Sequence, residues 1–319
     1  MTNSNTLSKQ LKVIGALIIP LIILALLPNF ANTSIVISLV TILMYVTLTL
    51  SWTMFSGPTR YISLATAAFF GVGVYATTVL NKVFPLPAII LSGGLVSFTL
   101  ALFIGLLTLR LKGIYFILFT FGTSALLRAS INWWETNVAG TVGRIVIGPG
   151  TETVYYYLVG VFAATLLVTY IVRESKYGLA LRSIGQNEKA ALHIGINVTL
   201  LKTVTFAASA FFIGATGTIM AHRWTYIDST IAFNPLISFL PVLMAIFGGT
   251  SRFYGPILGA TIFTILQEFL ITRYPYYFMI IMGATLVLVI VFLPEGLVGI
   301  IERSKQQLNR VPGSPRITG

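Results

Sequence analysis

The chain has no cysteine, 2 histidines and 8 acidic residues in 319 positions. Without cysteine there is no disulfide framework, no thiolate metal site and no cysteine nucleophile. So few histidines and acids leave little from which to build a metal cluster or a pair of catalytic carboxylates. Charge of either sign is scarce: Asp, Glu, Lys and Arg make up 9% of the chain, against about 25% in an average soluble domain. A water-soluble globule of this size could not cover its surface with so few charges. A cytosolic enzyme, a disordered chain and a soluble solenoid are therefore excluded. Apolar residues are abundant instead, at 56%, with a mean hydropathy of +0.92. The composition is that of a polytopic membrane protein.

A membrane-crossing helix needs about 20 mostly apolar residues. Runs that approach this are Val13–Leu27, Ser34–Phe55, Ile62–Leu80, Leu86–Leu109, Ile114–Ile131, Val154–Val172, Thr203–His222, Pro235–Phe247, Gly255–Thr272 and Tyr276–Leu293. The expected fold class is all-α: a polytopic integral membrane protein of about ten transmembrane helices. Lys9 and Lys12 before the first run resemble the start of a signal peptide. No A-x-A pattern follows, and a second span comes directly after, so the run reads as an anchor.

The formal charge of +12 would suggest nucleic acid in a soluble protein. Here the distribution of cations gives a topological explanation. With the N-terminus inside, only Lys82, Arg144, Arg223 and Arg273 fall in outer loops and Arg128 within a span. All other Lys and Arg fall inside, as the positive-inside rule requires. Both termini are then cytoplasmic, and no nucleic acid is needed. The expected organisation is a cytoplasmic segment 1–12, one membrane domain 13–301 and a polar cytoplasmic tail 302–319, which should be disordered. Two hydrophilic segments remain: Asn132–Thr153 outside and Arg173–Lys202 inside.

Small residues recur at four-residue spacing. Ser63, Ala67 and Gly71 do so in the third run, Ala210 and Gly214 in the seventh, Gly255 and Gly259 in the ninth. Such spacing lets helix backbones approach closely. There is also an internal echo between Phe55-Ser-Gly57-Pro-Thr-Arg60-Tyr61 and Phe247-Gly-Gly249-Thr-Ser-Arg252-Phe253, both at expected inner turns.

The inner segment reads Gly178-Leu-Ala-Leu-Arg182-Ser-Ile-Gly-Gln-Asn187-Glu188-Lys-Ala190-Ala191-Leu-His-Ile-Gly195-Ile196. Asn187 suits a helix N-cap and Gly195 a left-handed stop. The spacing predicts a short amphipathic helix with Ala190, Ala191 and Ile194 as its apolar patch and Glu188 and Lys189 on its polar edge. Such a helix can dock into a groove of a soluble partner.

The pattern E-x-A-A-x-x-x-G in this segment resembles the coupling loop of ABC import permeases, and other segments agree. Ile62-Ser63-Leu64 followed by Ala67-Ala68-Phe69-Phe70-Gly71-Val72-Gly73-Val74-Tyr75 resembles the L-S-L-G-H-A-A-F-F-G-I-G-A-Y stretch of the branched-chain amino acid permease family. Leu109-Arg110-Leu-Lys112-Gly113-Ile-Tyr115-Phe116 is similar to its L-R-x-R-G-x-Y-F. Gly248-Gly249 with Arg252, Tyr254, Gly255, Pro256, Leu258, Gly259 and Ala260 resembles its G-G-x-G-S-x-x-G-P-x-L-G-A, and Pro294-Glu-Gly296-Leu297-Val-Gly299 its P-x-G-L-x-G. These segments keep family order from about residue 50 to 300. They resemble the LivM-type subunit; urea and short-amide permeases share the motifs. Three departures stand out. The family's A-G-Q is Thr59-Arg60-Tyr61 here, its G-H is Ala65-Thr66, and its outer T-G-G-x-N-G-I is only echoed by Ala139-Gly140-Thr141-Val142-Gly143-Arg144-Ile145.

The resemblance implies a permease subunit of an ATP-binding-cassette importer in the bacterial inner membrane. It implies a second related permease, two ATPase subunits and an extracytoplasmic solute-binding protein that delivers a hydrophobic or branched-chain amino acid. The ATPase-coupling residues would be Gly178, Arg182, Asn187, Glu188, Ala190, Ala191 and Gly195. The chain has no G-x-x-x-x-G-K-[ST] loop, so it carries no nucleotide cofactor of its own and is not expected to be an enzyme; ATP and magnesium belong to the partners. Candidate path residues are Ser63, Thr66, Thr120, Thr123, Ser124 and Arg128, the last with Glu268 as a possible partner. Helix packing falls to Ala67, Gly71, Gly214, Gly255 and Gly259. The favoured reading of Arg128 is nonetheless a cation snorkelling to the outer interface, and of most of the hydroxyls, bonds to backbone one turn away. Trp133-Trp134 fits an interfacial belt. Urea, a short amide or another amino acid remain alternative cargoes. An ion-coupled secondary transporter is a more distant alternative, for which the acids, placed at span ends and loops, give little support. An enzyme has still less, since His193 and His222 fall on opposite sides.

Overall fold

A computed structural model describes residues 20–292 and 296–299. Its helices are α1 (Pro20–Asn29), α2 (Thr33–Thr59), α3 (Thr66–Leu80), α4 (Leu86–Thr108), α5 (Ile114–Trp134), α6 (Thr151–Glu174), α7 (Lys176–Gln186), α8 (Glu188–His193), α9 (Val198–Ala221), α10 (Ser229–Ala232), α11 (Leu236–Gly248), α12 (Gly255–Arg273) and α13 (Phe278–Phe292). A π-helical turn, Glu135–Ala139, extends α5. Strands β1 (Arg144–Ile145) and β2 (Tyr226–Ile227) form a two-residue antiparallel pair, a small addition to an otherwise helical fold.

Among the described residues, seven helical segments are long and apolar enough to cross a membrane. They are α2, α4, α5 with its π turn, α6, α9, α10 joined to α11, and α12. Six of the expected runs therefore appear as long helices near their expected bounds. The third run is shorter than its hydropathy suggests. Ile62–Ala65 is not helical, and α3 starts only at Thr66, with 15 residues. The eighth is the 13-residue α11, preceded by the single turn α10. The first and tenth runs fall partly outside the described residues, as do the segment 1–12 and the tail 302–319.

Helix α9 lies at the centre, packed against α4, α3 and α2. Lipid gives helices no hydrophobic reason to associate, so close backbone approach and hydrogen bonds must hold the bundle together. Both are present. A Cβ on Gly73 would strike the Gly214 carbonyl, locking α3 onto α9. Gly248, Gly255 and Gly259 bring α11 and α12 into similar backbone contact. Gly71, by contrast, makes room for the Phe233 ring. Of the Ser63, Ala67 and Gly71 spacing, Ser63 lies before α3, and the α3–α9 backbone contact falls to Gly73. Phe55, Phe69, Phe116 and Phe206 form a buried aromatic cluster, with ring centroids 5.1 Å apart for Phe55–Phe206 and 5.3 Å for Phe69–Phe206. Large apolar side chains such as Leu95, Phe103, Leu118 and Leu126 stay exposed on α4 and α5, as a lipid-facing surface requires.

The segment between α2 and α3 has no regular secondary structure, and its Ser63, Leu64 and Ala65 are buried in the packed interior. Irregular backbone at membrane depth survives only where its polar groups find partners in the protein. Trp52 Nε1 donates to the Ser63 carbonyl at 2.8 Å. The Leu64 N–H donates to Thr120 Oγ1 at 3.0 Å. The Leu64 carbonyl accepts from Ser238 Oγ at 2.7 Å and Ser124 Oγ at 3.4 Å. Side chains from α2, α5 and α11 thus replace the missing helical bonds.

Candidate functional site: an ion cluster under the α7–α8 segment

The ends of α2, α4, α6 and α11 and the starts of α5, α9 and α12 meet on one face with α7 and α8. Arg173 at the end of α6 donates to the Ser251 carbonyl. Gly185 of α7 sits so close to the Pro58 carbonyl of α2 that a Cβ would collide with it. Gly178 likewise fits under the Val172 and Arg173 carbonyls. Leu181 and Ile184 bury the inner side of α7.

The caps follow the sequence. Ser175 opens α7, its Oγ accepting from the Gly178 N–H at 3.4 Å. Asn187 ends α7 and caps α8, Oδ1 accepting from the Ala190 N–H at 3.2 Å. Gly195 adopts φ 85°, the left-handed region where glycine is least strained. Ala191 is buried in a small cluster with Ile184 and Val198. Ala190, Leu192 and Ile194 are exposed, as are Tyr177, Leu179 and Leu200 nearby. The apolar patch thus faces outward through Ala190 and Ile194, while Ala191 anchors the segment.

Glu188 does not lie on an outer polar edge with Lys189. It turns inward, to a site with three partners from distant parts of the chain. Lys202, on the first turns of α9, has a side chain only 1% exposed and donates to Glu188 Oε1 at 3.0 Å. The Tyr61 hydroxyl donates to Glu188 Oε2 at 2.8 Å. Lys112, from the α4–α5 turn, pairs with the same oxygen at 3.2 Å and is largely exposed. Lys202 Nζ also donates to the Leu109 carbonyl at 3.0 Å and the Tyr61 hydroxyl at 3.3 Å, and stands 4.4 Å from the centre of the Tyr61 ring. Tyr61 in turn packs edge-on against Phe116, centroids 5.4 Å apart.

Burial pushes the Glu188 carboxyl upward. The bonds from Tyr61 and Lys202, the Lys202 charge and the Lys112 bond outweigh it, and its pKa lies below the ordinary 4.5. Burial, then the bond to and charge of Glu188, push the Tyr61 phenol above its usual 10.0. Tyr61 therefore stays protonated and remains a donor. A carboxylate on α8 is thereby tied to α9, to the α4–α5 turn and to the root of the irregular segment before α3. Lys202 and Tyr61 were missed as site residues. Lys202 read as one more inner cation, and Tyr61 as a departure from A-G-Q.

The other expected site residues are placed as follows. Ser63, Thr66, Thr120 and Ser124 gather around the irregular segment and are buried. The Ser63, Thr120 and Ser124 hydroxyls are engaged with backbone groups. Thr123 bonds back to the Phe119 carbonyl at 2.9 Å. Arg128 is apart from them, on the opposite face, donating to Thr230 Oγ1 at 3.1 Å. Glu268 is not its partner: Glu268 accepts from Ser38 Oγ and acts on Arg223. Glu135, expected in a water-facing loop, is fully buried and accepts from the Tyr75 hydroxyl at 3.1 Å. Arg182 donates to the Arg173 carbonyl at 3.1 Å. It shares the wall of a cavity of about 760 Å³ with Arg60 and Arg173. Both echoing turns line this cavity, through Gly57, Pro58 and Arg60 and through Gly249, Thr250 and Ser251.

A helical bundle with backbone-close helix contacts and a capped helical segment pinned to one face is the architecture of a polytopic membrane protein. The family described as branched-chain amino acid transport system / permease component matches residues 34–290, and the chain belongs to it. The permease protein LivM of the high-affinity branched-chain amino acid transport system of Salmonella typhimurium is 24% identical over 293 residues, covering 80% of this chain and 68% of that protein. Its Escherichia coli counterpart is 23% identical over 319 residues, covering 88% and 74%. The ribose import permease protein RbsC of Haemophilus influenzae is 28% identical over 127 residues, covering 38% and 39%. No solved structure matches.

Proposed function

We propose that the chain is the membrane-spanning permease subunit of an inner-membrane ABC importer carrying a hydrophobic or branched-chain amino acid. Family membership over most of the chain supports this reading, together with the cargo named for its LivM relatives. The α7–α8 face is cytoplasmic, as the crowding of Lys and Arg there requires, and both termini lie on that side. One of two ATPase subunits docks on the exposed Ala190, Leu192 and Ile194, and the other on the second permease. A second related permease completes the pathway, and a solute-binding protein delivers cargo at the opposite face. The chain itself is non-enzymatic; ATP and magnesium are used by the ATPases.

The observation that carries the mechanism is the inward Glu188. When an ATPase displaces α8, a carboxylate bonded to buried Lys202 and to Tyr61 cannot be left behind without stranding the Lys202 charge. The push is therefore transmitted to α9 and to the irregular segment before α3. Gly178, Arg182, Asn187, Ala191 and Gly195 shape and hold the lever; Glu188 links it to the bundle.

The test is co-reconstitution in proteoliposomes of the full set of proteins that co-purify with the tagged chain from native membranes. ATP-dependent uptake of radiolabelled leucine, isoleucine or valine that exceeds urea uptake supports the proposal. Uptake driven by a proton or sodium gradient without ATP would instead support a secondary transporter, for which buried Glu135 and Tyr75 would be the natural ion-handling pair.

A further inference from the structure

We propose that the cavity beside α7 is an anion site that holds a phosphate group at the cytoplasmic mouth of the permease. The cytoplasmic placement rests on the function proposed above; the site itself does not, and its test requires neither ATPase nor transport.

The cavity is about 760 Å³ and lies between the end of α2, the end of α6, α7 and the loop after α11. Arg60, Arg173 and Arg182 line it, and among the described residues no carboxylate does. Arg252 lies between two further lining residues, Ser251 and Phe253. Like charges gathered on one wall repel one another, the more so where water is partly excluded. A guanidinium fork matches an oxyanion in both charge and geometry. Two of the arginines are held at the wall, Arg173 by the Ser251 carbonyl and Arg182 by the Arg173 carbonyl. Each bond uses one N–H and leaves others for a ligand.

Arg60 provides the independent observation. It is the one non-glycine at positive φ among the described residues, at φ 60° and ψ 17°. This left-handed position ends α2, where glycine is the usual occupant because a Cβ is strained there. The resembling family has glycine here, in A-G-Q. This chain keeps an arginine on a strained backbone and directs it into a cavity that already holds two more. Strain retained at one residue points to a use for its side chain.

The occupant is an added anion. A basic pocket between helices at the cytoplasmic interface suits the phosphate of an anionic lipid or free phosphate.

The test uses the full-length chain in nanodiscs at matched ionic strength, with Tm as readout. In phosphatidylcholine discs, inorganic phosphate should raise Tm saturably over a chloride control if the source is free phosphate. Discs containing phosphatidylglycerol should raise it, and abolish the phosphate response, if the source is lipid. Arg182→Ala should lose whichever response occurs. Arg60→Gly should also lose it, while its Tm in anion-free phosphatidylcholine discs equals or exceeds wild type, because the left-handed strain is relieved. If neither anion raises the wild-type Tm, or Arg60→Gly and Arg182→Ala respond as wild type does, the site is refuted. An Arg60→Gly Tm below wild type without anion would refute the strain argument and the proposal with it.

Discussion

Replacing Glu188 with glutamine keeps the shape of the side chain and removes the charge. The Lys202 ammonium, 1% exposed, then loses its counter-ion at 3.0 Å. Stranding a buried charge in this way costs about 3–5 kcal/mol. Lys202 keeps its bonds to the Leu109 carbonyl and the Tyr61 hydroxyl, which places the cost at the lower end, about 3 kcal/mol. At about 2 °C per kcal/mol for a large domain, Tm should fall by about 6 °C. The double variant Glu188→Gln/Lys202→Met removes both charges and should recover most of that loss, since replacing a whole buried pair with well-packed groups is often neutral. Differential scanning fluorimetry of wild type, both singles and the double gives the coupling directly. In reconstituted vesicles Glu188→Gln should also weaken the link between ATP hydrolysis and uptake. Single variants with wild-type Tm, or a double no better than Glu188→Gln alone, would refute the reasoning.

Four further outcomes follow from the same geometry. Glu188 has a depressed pKa, so its stabilising contribution is full above the unfolded value of 4.5 and is lost as pH falls through the lower folded value. The Tm gap between wild type and Glu188→Gln should be flat from neutral pH to about 5 and close only below it; a gap that widens on acidification would contradict this. Gly185→Ala places a methyl against the Pro58 carbonyl and should lift α7 from α2, lowering ATP-coupled uptake several-fold with membrane abundance retained. Ser238→Ala removes the donor to the Leu64 carbonyl and the acceptor of the Ala67 N–H, and should cost about 1–3 kcal/mol of stability by thermal melting. Arg128→Ala should change stability by less than about 1 kcal/mol, because its partner is a partly exposed threonine hydroxyl, and should leave uptake within about twofold of wild type; a loss of uptake at normal abundance would place Arg128 on the path.

Sequence reading succeeded where neighbours along the chain decide the structure. Long apolar runs became long helices, and Asn187 and Gly195 bounded α8 because capping is local chemistry. It failed where distant residues decide. The Ile62–Ala65 stretch reads as helix, yet it stays irregular because Trp52, Thr120 and Ser238 satisfy its backbone from other helices. Glu188 was assigned to a polar edge because the helix pattern is blind to Tyr61, Lys112 and Lys202, which reach it from three other segments. The same blindness paired Glu268 with Arg128, when Ser38 bonds Glu268 and Thr230 bonds Arg128. Hydropathy placed Glu135 in a loop, but the π turn at the end of α5 carries it back into the interior.

The absence of cysteine from the chain allows a single engineered thiol to report without background. Ile194→Cys, on the exposed side of the segment at 72% exposure, can be probed in native membranes with a short bifunctional cross-linker. The account predicts a covalent adduct with an ATPase subunit and protection of the thiol from reagents added on the extracytoplasmic side. Labelling from that side, or a failure to capture any ATPase while the transporter is active, would contradict it.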